Sequence, residues 1–382
     1  MAKAKAGLAA VAGLIVWCGA ASAEDFKVGV VLPMTGPGAD IAKNLVYGFN
    51  AAVPLINARG GIGGMKVAPV VCDSQSQEQQ AILCDRRLLT DEKVDLLLGN
   101  GSTPQTLAAL PVIEQVGVPL FSMAAGTAIY RPFRKWVFKG LNSNEDQIAV
   151  EIEYLKKKGW THVAIIRDNG PFGADISSIY HEFVKGTGLE IVADEQYTST
   201  DQDMTAQVTR VRALKPDVIV DMAATAPPGA LVAKKIVQLG IAAPIIVGTN
   251  LQTAGFVALA GDAADQIIYT ALKVVLPDLP KSDPLYDNIA AFDDEFHKIN
   301  LGIEMNGLSP NTADGLMVTQ AVAKSLGPRA LDHDALRQAL ETAKDIPGLQ
   351  GIWTYTPTSH EVSLKDGTAL VKYVNGKWVS VQ

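Results

Sequence analysis

Residues 94–127 have the sequence VDLLLGNGSTPQTLAALPVIEQVGVPLFSMAAGT, in which two largely apolar runs each lead into a turn of small residues. The runs Val94–Leu98 and Val118–Phe121 lack the alternation of a half-exposed strand, so they predict strands covered on both faces. The carboxyl ends of neighbouring parallel strands meet at one edge of a sheet, where open α/β folds usually bind small ligands. The sequence therefore predicts a ligand site formed by the turns 99–103 and 122–127.

The first of these turns leads into a predicted helix, in which apolar residues recur at helical spacing. Ser102 and Thr103 fall at its N-terminus. The N-terminus of a helix offers unpaired N–H groups and the positive end of the dipole, so a carboxylate can bind there without Lys or Arg. The alternative is that Ser102, Thr103 and, in the second turn, Thr127 only cap helices.

Residues 1–23 have the pattern of a secretory signal peptide. A short basic start precedes the apolar stretch Gly7–Trp17, and Ala21-Ser22-Ala23 is a small-residue cleavage site. The apolar stretch is too short to span a bilayer, which takes roughly 20 residues. Bulky Trp17 stands before Cys18, where a lipoprotein signal has a small residue. We therefore expect export with cleavage after Ala23.

Composition and charge argue against binding to nucleic acids or anionic membranes. Loss of Lys3 and Lys5 with the predicted signal peptide changes the formal net charge from −7 to −9, and the remaining basic run is the single turn 156–158. Such a chain is a poor partner for polyanions. A mature length of about 360 residues suggests two domains of ordinary size.

Cys72 and Cys84 remain after the predicted cleavage, in a compartment where disulfides persist. Cys72 ends a predicted strand over 66–72, and Cys84 shares a helical face with Ala81 and Leu88 that points toward the sheet. A bridge would close a short loop and stabilise the fold by roughly 3 kcal/mol. Two separate buried thiols are the alternative. A catalytic thiol is disfavoured because no His lies nearby in sequence.

Strands and helices alternate twice along the chain, which predicts α/β lobes with parallel sheets and helices on both faces. The first series runs from the strand 27–32 to the strand 136–139. Its glycine cluster 59–64 follows a helix and precedes a strand, the reverse of a dinucleotide-binding loop, so it predicts a helix stop and a turn. The second series runs from the helix 147–158 to the strand 244–247, with a loop predicted over 223–229.

The remaining segments predict elements that return to these two lobes. They are helices over 285–300, 311–326 and 333–343, and a hairpin over 367–378 that turns at Asn375-Gly376.

Five segments match one family in the right order after a signal peptide. They are KVGVVLPMTGP (27–37), INARGGIGG (56–64), the strand end Cys72-Asp73, VPLFSMAA (118–125) and RDNGPFG (167–173). In these segments, and along nearly the whole mature chain, the protein resembles the periplasmic leucine/isoleucine/valine-binding proteins, the type I solute-binding proteins of ABC importers.

The resemblance implies a periplasmic, monomeric, non-enzymatic protein without a cofactor, which captures a small carboxylate-bearing ligand and delivers it to the membrane permease of an ABC importer. It implies two doubly wound lobes joined by a three-stranded hinge and closing on the ligand. Lobe one is expected to comprise residues 24–142 and 273–350. Lobe two is expected to comprise residues 143–272 and 351–382.

Carried over by position, the resemblance also assigns the ligand contacts. Ser102 and Thr103 correspond to the carboxylate-binding turn, Phe172 to an aromatic side chain that covers the ligand, and Asn250 to the acidic residue that holds the ligand ammonium in leucine binders. The full set is Ser102, Thr103, Ala124, Ala125, Gly126, Thr127, Phe172, Ala224, Thr225 and Asn250.

Three of these positions depart from the amino-acid-binding pattern. Gly126 lacks a hydroxyl, for which the neighbouring Thr127 could compensate, and Ala224 leaves room for a bulkier ligand. Asn250 carries no charge, and burying an ammonium without an anionic partner costs several kcal/mol. An aromatic or branched organic acid without an α-ammonium therefore fits better, and a branched-chain or hydrophobic amino acid is the alternative.

Other candidate residues and functions are less well supported. Tyr47, in the first helix, is a candidate for the cleft wall, with surface exposure as the alternative. The five histidines are scattered, so a metal site has little support. A secreted α/β enzyme would have to rely on Asp168 and Asp221, since no nucleophile-base pair is evident. A periplasmic sensor subunit with the same fold would present the same sequence features as a transport protein.

Overall fold

The computed structural model describes residues 24–276 and 279–381. The predicted signal peptide and its cleavage site lie outside the described residues. Within the described ranges, no helix combines the length and the apolar character needed to cross a membrane.

The first lobe is built on a five-stranded parallel sheet with the strand order β2-β1-β3-β4-β5. The strands are β1 (Phe26–Leu32), β2 (Val67–Asp73), β3 (Leu96–Gly99), β4 (Leu120–Ser122) and β5 (Val137–Lys139), and the helices between them are α1 (Ala39–Ala58), α2 (Glu78–Thr90) and α3 (Thr103–Val116). Strands β3 and β4 are buried throughout. The prediction of two strands covered on both faces is confirmed, although each begins two residues later than predicted.

A disulfide joins β2 to α2. Cys72 and Cys84 are bonded, with their Cα atoms 5.7 Å apart. Cys84 lies on the buried face of α2 together with Ala81 and Leu88. The predicted bridge is therefore confirmed, and the alternative of two separate thiols is wrong.

The second lobe is built on a seven-stranded sheet with the order β14-β13-β10-β9-β8-β6-β7. The elements from its first helix onward are α4 (Asn144–Lys158), β6 (His162–Asp168), α5 (Pro171–Phe183), β7 (Glu190–Tyr197), α6 (Thr205–Leu214), β8 (Val218–Met222), α7 (Ala226–Gln238), β9 (Ile245–Val247), α8 (Ala254–Ala260) and β10 (Ile267–Leu272). The strands from β6 to β10 pair in parallel. This confirms the second α/β series.

The chain then returns to the first lobe and ends in the second. The returning elements are α9 (Tyr286–Ile299), α10 (Ser309–Ala323), α11 (His333–Glu341), β11 (Ile346–Pro347) and β12 (Ile352–Trp353), and the final hairpin consists of β13 (Thr368–Val374) and β14 (Lys377–Ser380). The predicted hairpin is confirmed, and it adds to β10 in antiparallel pairing. Helix α10 packs along α1, where a Cβ on Gly48 would lie only 1.6 Å from the carbonyl oxygen of Ser309. The two helices therefore touch through their backbones.

The chain crosses between the sheets three times: after β5, after β10 and before β13. The expected assignment of residues 351–382 to lobe two is wrong in its first part. Trp353, Tyr355 and Leu364 belong to the core of the first lobe. The physical reason is aromatic packing, because the ring of Tyr355 lies edge-on to the ring of Phe138, 5.3 Å away. The chain therefore joins the second lobe only at β13.

Candidate ligand-binding site

A cleft of about 560 Å³ lies between the two lobes, at the carboxyl ends of strands from both sheets. The first lobe contributes the turns after β3 and β4 and one face of α1. The second lobe contributes the turns after β6, β8 and β9. The cleft is thus at the position that open α/β sheets commonly use for ligands. Predicted residues in its lining are Ser102, Thr103, Ala124, Ala125, Phe172, Ala224, Thr225 and Asn250.

The turns after β3 and β4 bring hydrogen-bond donors together at one end of the cleft. Gly99 of β3 pairs with Ser122 of β4, so the segments that follow them are neighbours. The N–H groups of Ser102 and Ala125 donate to no acceptor in the described chain. Ser102 precedes the first residue of α3 and its side chain makes no capping hydrogen bond, so the capping alternative does not hold for Ser102. This end of the cleft can receive a carboxylate.

Thr103 lies in the same turn but is nearly fully buried, and its hydroxyl has no hydrogen-bond partner in the described chain. Gly126 packs directly against it, since a Cβ on Gly126 would lie 2.4 Å from Thr103 Cγ2. Gly126 is therefore outside the lining and makes room for Thr103. Thr127 also lies outside the lining, and its N–H donates to Asp175 Oδ1 of the second lobe at 3.1 Å. The predictions that Gly126 and Thr127 line the cleft are wrong.

Phe172 and Asn250 form the opposing wall in the second lobe. Phe172 lies in the first turn of α5, half-buried against the core of that lobe. Asn250 follows β9, and its Nδ2 donates to the carbonyl oxygens of Ala223 and Ala224, at 2.9 and 3.4 Å. Its amide hydrogens therefore face the backbone, and its uncharged oxygen remains for a ligand.

Tyr47 is absent from the cleft lining, so the prediction that it lines the cleft is wrong. The residues of α1 that line the cleft are Ile41 and Leu45, four residues apart on one helical face. Tyr47 lies two residues beyond Leu45, roughly 200° further around the helix. It is half-buried against the core of the first lobe, and the ammonium of Lys43 lies 5.6 Å from its ring centroid.

Several lining residues escaped the sequence analysis. The Ile41 and Leu45 pair could have been found from its helical spacing after Pro-Met-Thr-Gly-Pro. Leu308 precedes α10 and Asn311 lies in its first turn, about 200 residues after the turn that holds Ser102, so nothing local indicates them.

The charges around the cleft are few. Its acidic lining residues are Glu78, which is exposed, and Asp168, and it has no Lys, Arg or His in the described lining. Asp168 Oδ1 accepts a hydrogen bond from the Gly170 N–H at 2.8 Å, just before α5, and burial raises the pKa of its carboxyl. Asp221 lies outside the lining, fully buried, and burial raises its pKa well above the usual value. The two carboxyls thus form no paired acid and base in the cleft.

The described residues also contain no cluster of three or more His, Cys, Asp or Glu side chains that could hold a metal ion.

A ligand cleft between two α/β lobes, with three chain crossings behind it, defines a type I periplasmic binding protein. The sequence profile of the periplasmic binding protein family matches residues 25–377, and the chain belongs to that family. The resemblance found in the sequence and the predicted fold class are both confirmed.

Relatives and solved structures agree with this assignment. The Leu/Ile/Val-binding protein BraC3 of Rhizobium johnstonii is 27 % identical over 94 % of each chain, and the Leu/Ile/Val-binding protein homolog 3 of Brucella melitensis is 25 % identical over 95 % of each chain. An extracellular ligand-binding receptor from Rhodopseudomonas palustris HaA2 has a TM-score of 0.84 at 25 % identity, covering 94 % of this chain and 100 % of its own.

The fold is also that of the branched-chain amino acid transporter substrate-binding protein of Streptococcus pneumoniae, solved in complex with isoleucine. That structure has a TM-score of 0.80 at 23 % identity, covering 94 % of this chain and 98 % of its own.

Proposed function

We propose that this protein captures a small carboxylate-bearing ligand in the periplasm and delivers it to the permease of an ABC importer. The free N–H groups of Ser102 and Ala125 support carboxylate binding at one end of the cleft. The names of the relatives, which describe Leu/Ile/Val binding, support a ligand of amino-acid size.

The ligand that fits best is an aromatic or branched organic acid without an α-ammonium. The observation that carries this choice is Asn250, which presents an uncharged amide oxygen where leucine binders are expected to have a carboxylate. An ammonium buried beside it would lose its hydration without gaining a charged partner from this residue, at a cost of several kcal/mol. A branched-chain or hydrophobic amino acid is the second candidate, supported by the relatives' names.

The body of such an acid would lie against apolar side chains. Ile41, Leu45 and Met123 line the first-lobe wall and Phe172 the second-lobe wall. Ala224 adds little bulk, so a ring or a branched chain can be accommodated. Burial of apolar ligand surface supplies about 25 cal/mol per Å².

Thermal unfolding of the mature chain with paired ligands tests the ligand class. In each pair one member lacks the α-ammonium: leucine is paired with 4-methyl-2-oxopentanoate, which has a carbonyl at the α-carbon instead, and phenylalanine is paired with 3-phenylpropionate. A ligand at 100 times its Kd stabilises the folded state by about 2.7 kcal/mol. We expect the ammonium-free acids to raise the Tm. A rise with leucine or phenylalanine alone would contradict the organic-acid assignment.

Delivery to an importer needs a separate test. Deletion of the gene should abolish high-affinity uptake of the radiolabelled ligand, and a plasmid copy should restore it. Unchanged uptake together with a lost transcriptional response to the ligand would instead support a sensor subunit.

A further inference from the structure

Helix α10 begins with a group of buried polar side chains inside the first lobe. Three of them have protein partners. Ser309 Oγ bonds Asn306 Oδ1 at 3.2 Å, Thr312 Oγ1 donates to the Leu45 carbonyl oxygen at 3.0 Å, and Asp314 accepts from the Leu349 and Gln350 N–H groups. One further polar side chain of this group is not accounted for by these hydrogen bonds.

Asn311 is that member. Its side chain is 2 % exposed and lines the cleft. Its Oδ1 has no hydrogen-bond partner, and its Nδ2 likewise bonds no atom of the described chain. Because buried amides in proteins are almost always hydrogen-bonded, an unpaired one in the wall of a ligand cleft indicates a partner that arrives with the ligand.

Asn311 and the carboxylate-binding turn lie beside different parts of α1. The start of α1 lies beside that turn, because a Cβ on Gly38 or on Gly101 would meet the same side chain, Pro33, at 3.0 or 2.7 Å. Asn311 adjoins the second turn of α1 instead, since the next residue, Thr312, bonds to Leu45.

The first-lobe wall also has an apolar part. Ile41, Leu45 and Leu308 line it, each less than a tenth exposed. The first-lobe wall therefore combines a carboxylate-binding turn, apolar side chains and an unpaired amide.

We propose that Asn311 binds a second oxygen of the ligand, remote from its carboxylate. This assignment rests on the proposed function, which places the carboxylate at Ser102 and Ala125. The second oxygen is a neutral hydroxyl or carbonyl rather than a second carboxylate, because the described lining contains no cation to pair with another buried charge. The ligand class is thus a hydroxy or oxo carboxylic acid whose two polar ends are separated by an apolar body. Asn311 is then a specificity-determining residue.

Calorimetric titration with three matched ligand pairs tests this proposal. The pairs are 4-hydroxybenzoate with benzoate, 3-(4-hydroxyphenyl)propionate with 3-phenylpropionate, and tyrosine with phenylalanine. In each pair only the distal hydroxyl differs, and the third pair carries the α-ammonium. We expect about tenfold tighter binding of the hydroxylated member in at least one ammonium-free pair, the size of one net hydrogen bond.

Two variants separate the role of Asn311 from general packing. Asn311→Leu keeps the branched shape and the number of side-chain heavy atoms and removes the amide, so we expect the hydroxyl preference to disappear. Thr312→Val is the matched control: it removes a buried hydrogen bond from the same helical turn outside the cleft, and we expect it to retain the preference. If Asn311→Leu does not fold, equal affinity of the wild type for both members of every pair that binds would still overturn the proposal.

The outcomes distinguish the two proposals. Equal affinity for both members of every pair that binds, or a preference that survives in Asn311→Leu, would overturn the role of Asn311 and leave the proposed function standing. Failure of every carboxylate in the panel to bind would overturn both.

Discussion

Asp40 of the first lobe accepts a hydrogen bond from the hydroxyl of Thr253 in the second lobe, so a carboxylate joins the two lobes directly. The fit is close, because a Cβ on Gly255 would lie 2.2 Å from Asp40 Oδ1. A second carboxylate, Asp175 of the second lobe, accepts the N–H of Thr127 in the first. These bridges use no ligand atoms. They stabilise the arrangement of the lobes in which the cleft is formed.

Removal of the first bridge should weaken binding without changing which ligand is preferred. For Asp40→Ala we expect a three- to tenfold rise in Kd, on the order of 1 kcal/mol for one hydrogen bond, mostly as faster dissociation. Stopped-flow measurement of ligand release checks this. Asp287→Asn, at an exposed carboxylate of α9, is the control. An unchanged release rate in Asp40→Ala would show that the bridge does not hold the lobes together.

A carboxylate at position 250 should admit an amino acid. In Asn250→Asp we expect affinity for leucine or phenylalanine to rise and affinity for the matching organic acid to fall, because the new charge attracts the ammonium and repels an acid without one. Titration of both members of a pair against both proteins checks this. If the order of affinities is the same in the variant, Asn250 does not face the α-carbon of the ligand.

Asp85 should make stability depend on pH. It is buried in α2, and burial raises the pKa of its carboxyl to about 8, although the nearby side chain of Asn100 lowers that pKa in part. The folded state therefore holds this proton at pH values where the unfolded chain has released it. Stability is fully present below about pH 4 and is lost progressively as the pH rises toward 8.

The substitution Asp85→Asn removes this titration. We expect its Tm to fall less than the wild-type Tm between pH 5 and pH 8, whereas Asp262→Asn, at an exposed carboxylate, should behave like the wild type. Thermal scans at several pH values measure the difference. Parallel curves for Asp85→Asn and the wild type would mean that Asp85 is already ionised in the folded protein.

Loss of the disulfide should destabilise the first lobe. For the double variant Cys72→Ala and Cys84→Ala we expect a decrease of about 3 kcal/mol in the free energy of unfolding, since the bridge closes a short loop in the unfolded chain. Denaturant titration of the oxidised wild type, the reduced wild type and the double variant checks this. Equal stability of all three would contradict the assigned role.

Local patterns in the sequence were enough to predict the sheets, the disulfide and one end of the cleft. The strand ends before Ser102 and Ala125 are marked by buried apolar runs that stop at small residues. Parallel pairing alone brings such ends together. Residues 226–229 belong to the predicted loop over 223–229, but they form the first turn of α7. Pro227 lies in this turn, where proline is tolerated.

Features that depend on distant segments could not be predicted. Asn311 reaches the cleft because α10 returns and packs on α1, and the Asp40–Thr253 bridge depends on the relative position of two lobes. Tyr47 shows the limit of helical spacing: the pattern fixes the angle between side chains on α1 but not which face meets the cleft. Trp353 packs in the first lobe because its ring fills a core that no local pattern reveals.

The most direct test of the central claim is the ratio of two dissociation constants, for phenylalanine and for 3-phenylpropionate, measured by calorimetry on the mature chain from Glu24. These ligands differ only in the α-ammonium that Asn250 cannot neutralise. We predict that 3-phenylpropionate binds at least tenfold more tightly, since an unpaired buried ammonium costs several kcal/mol. Tighter binding of phenylalanine would contradict the account, because some other group in the cleft would then hold the ammonium.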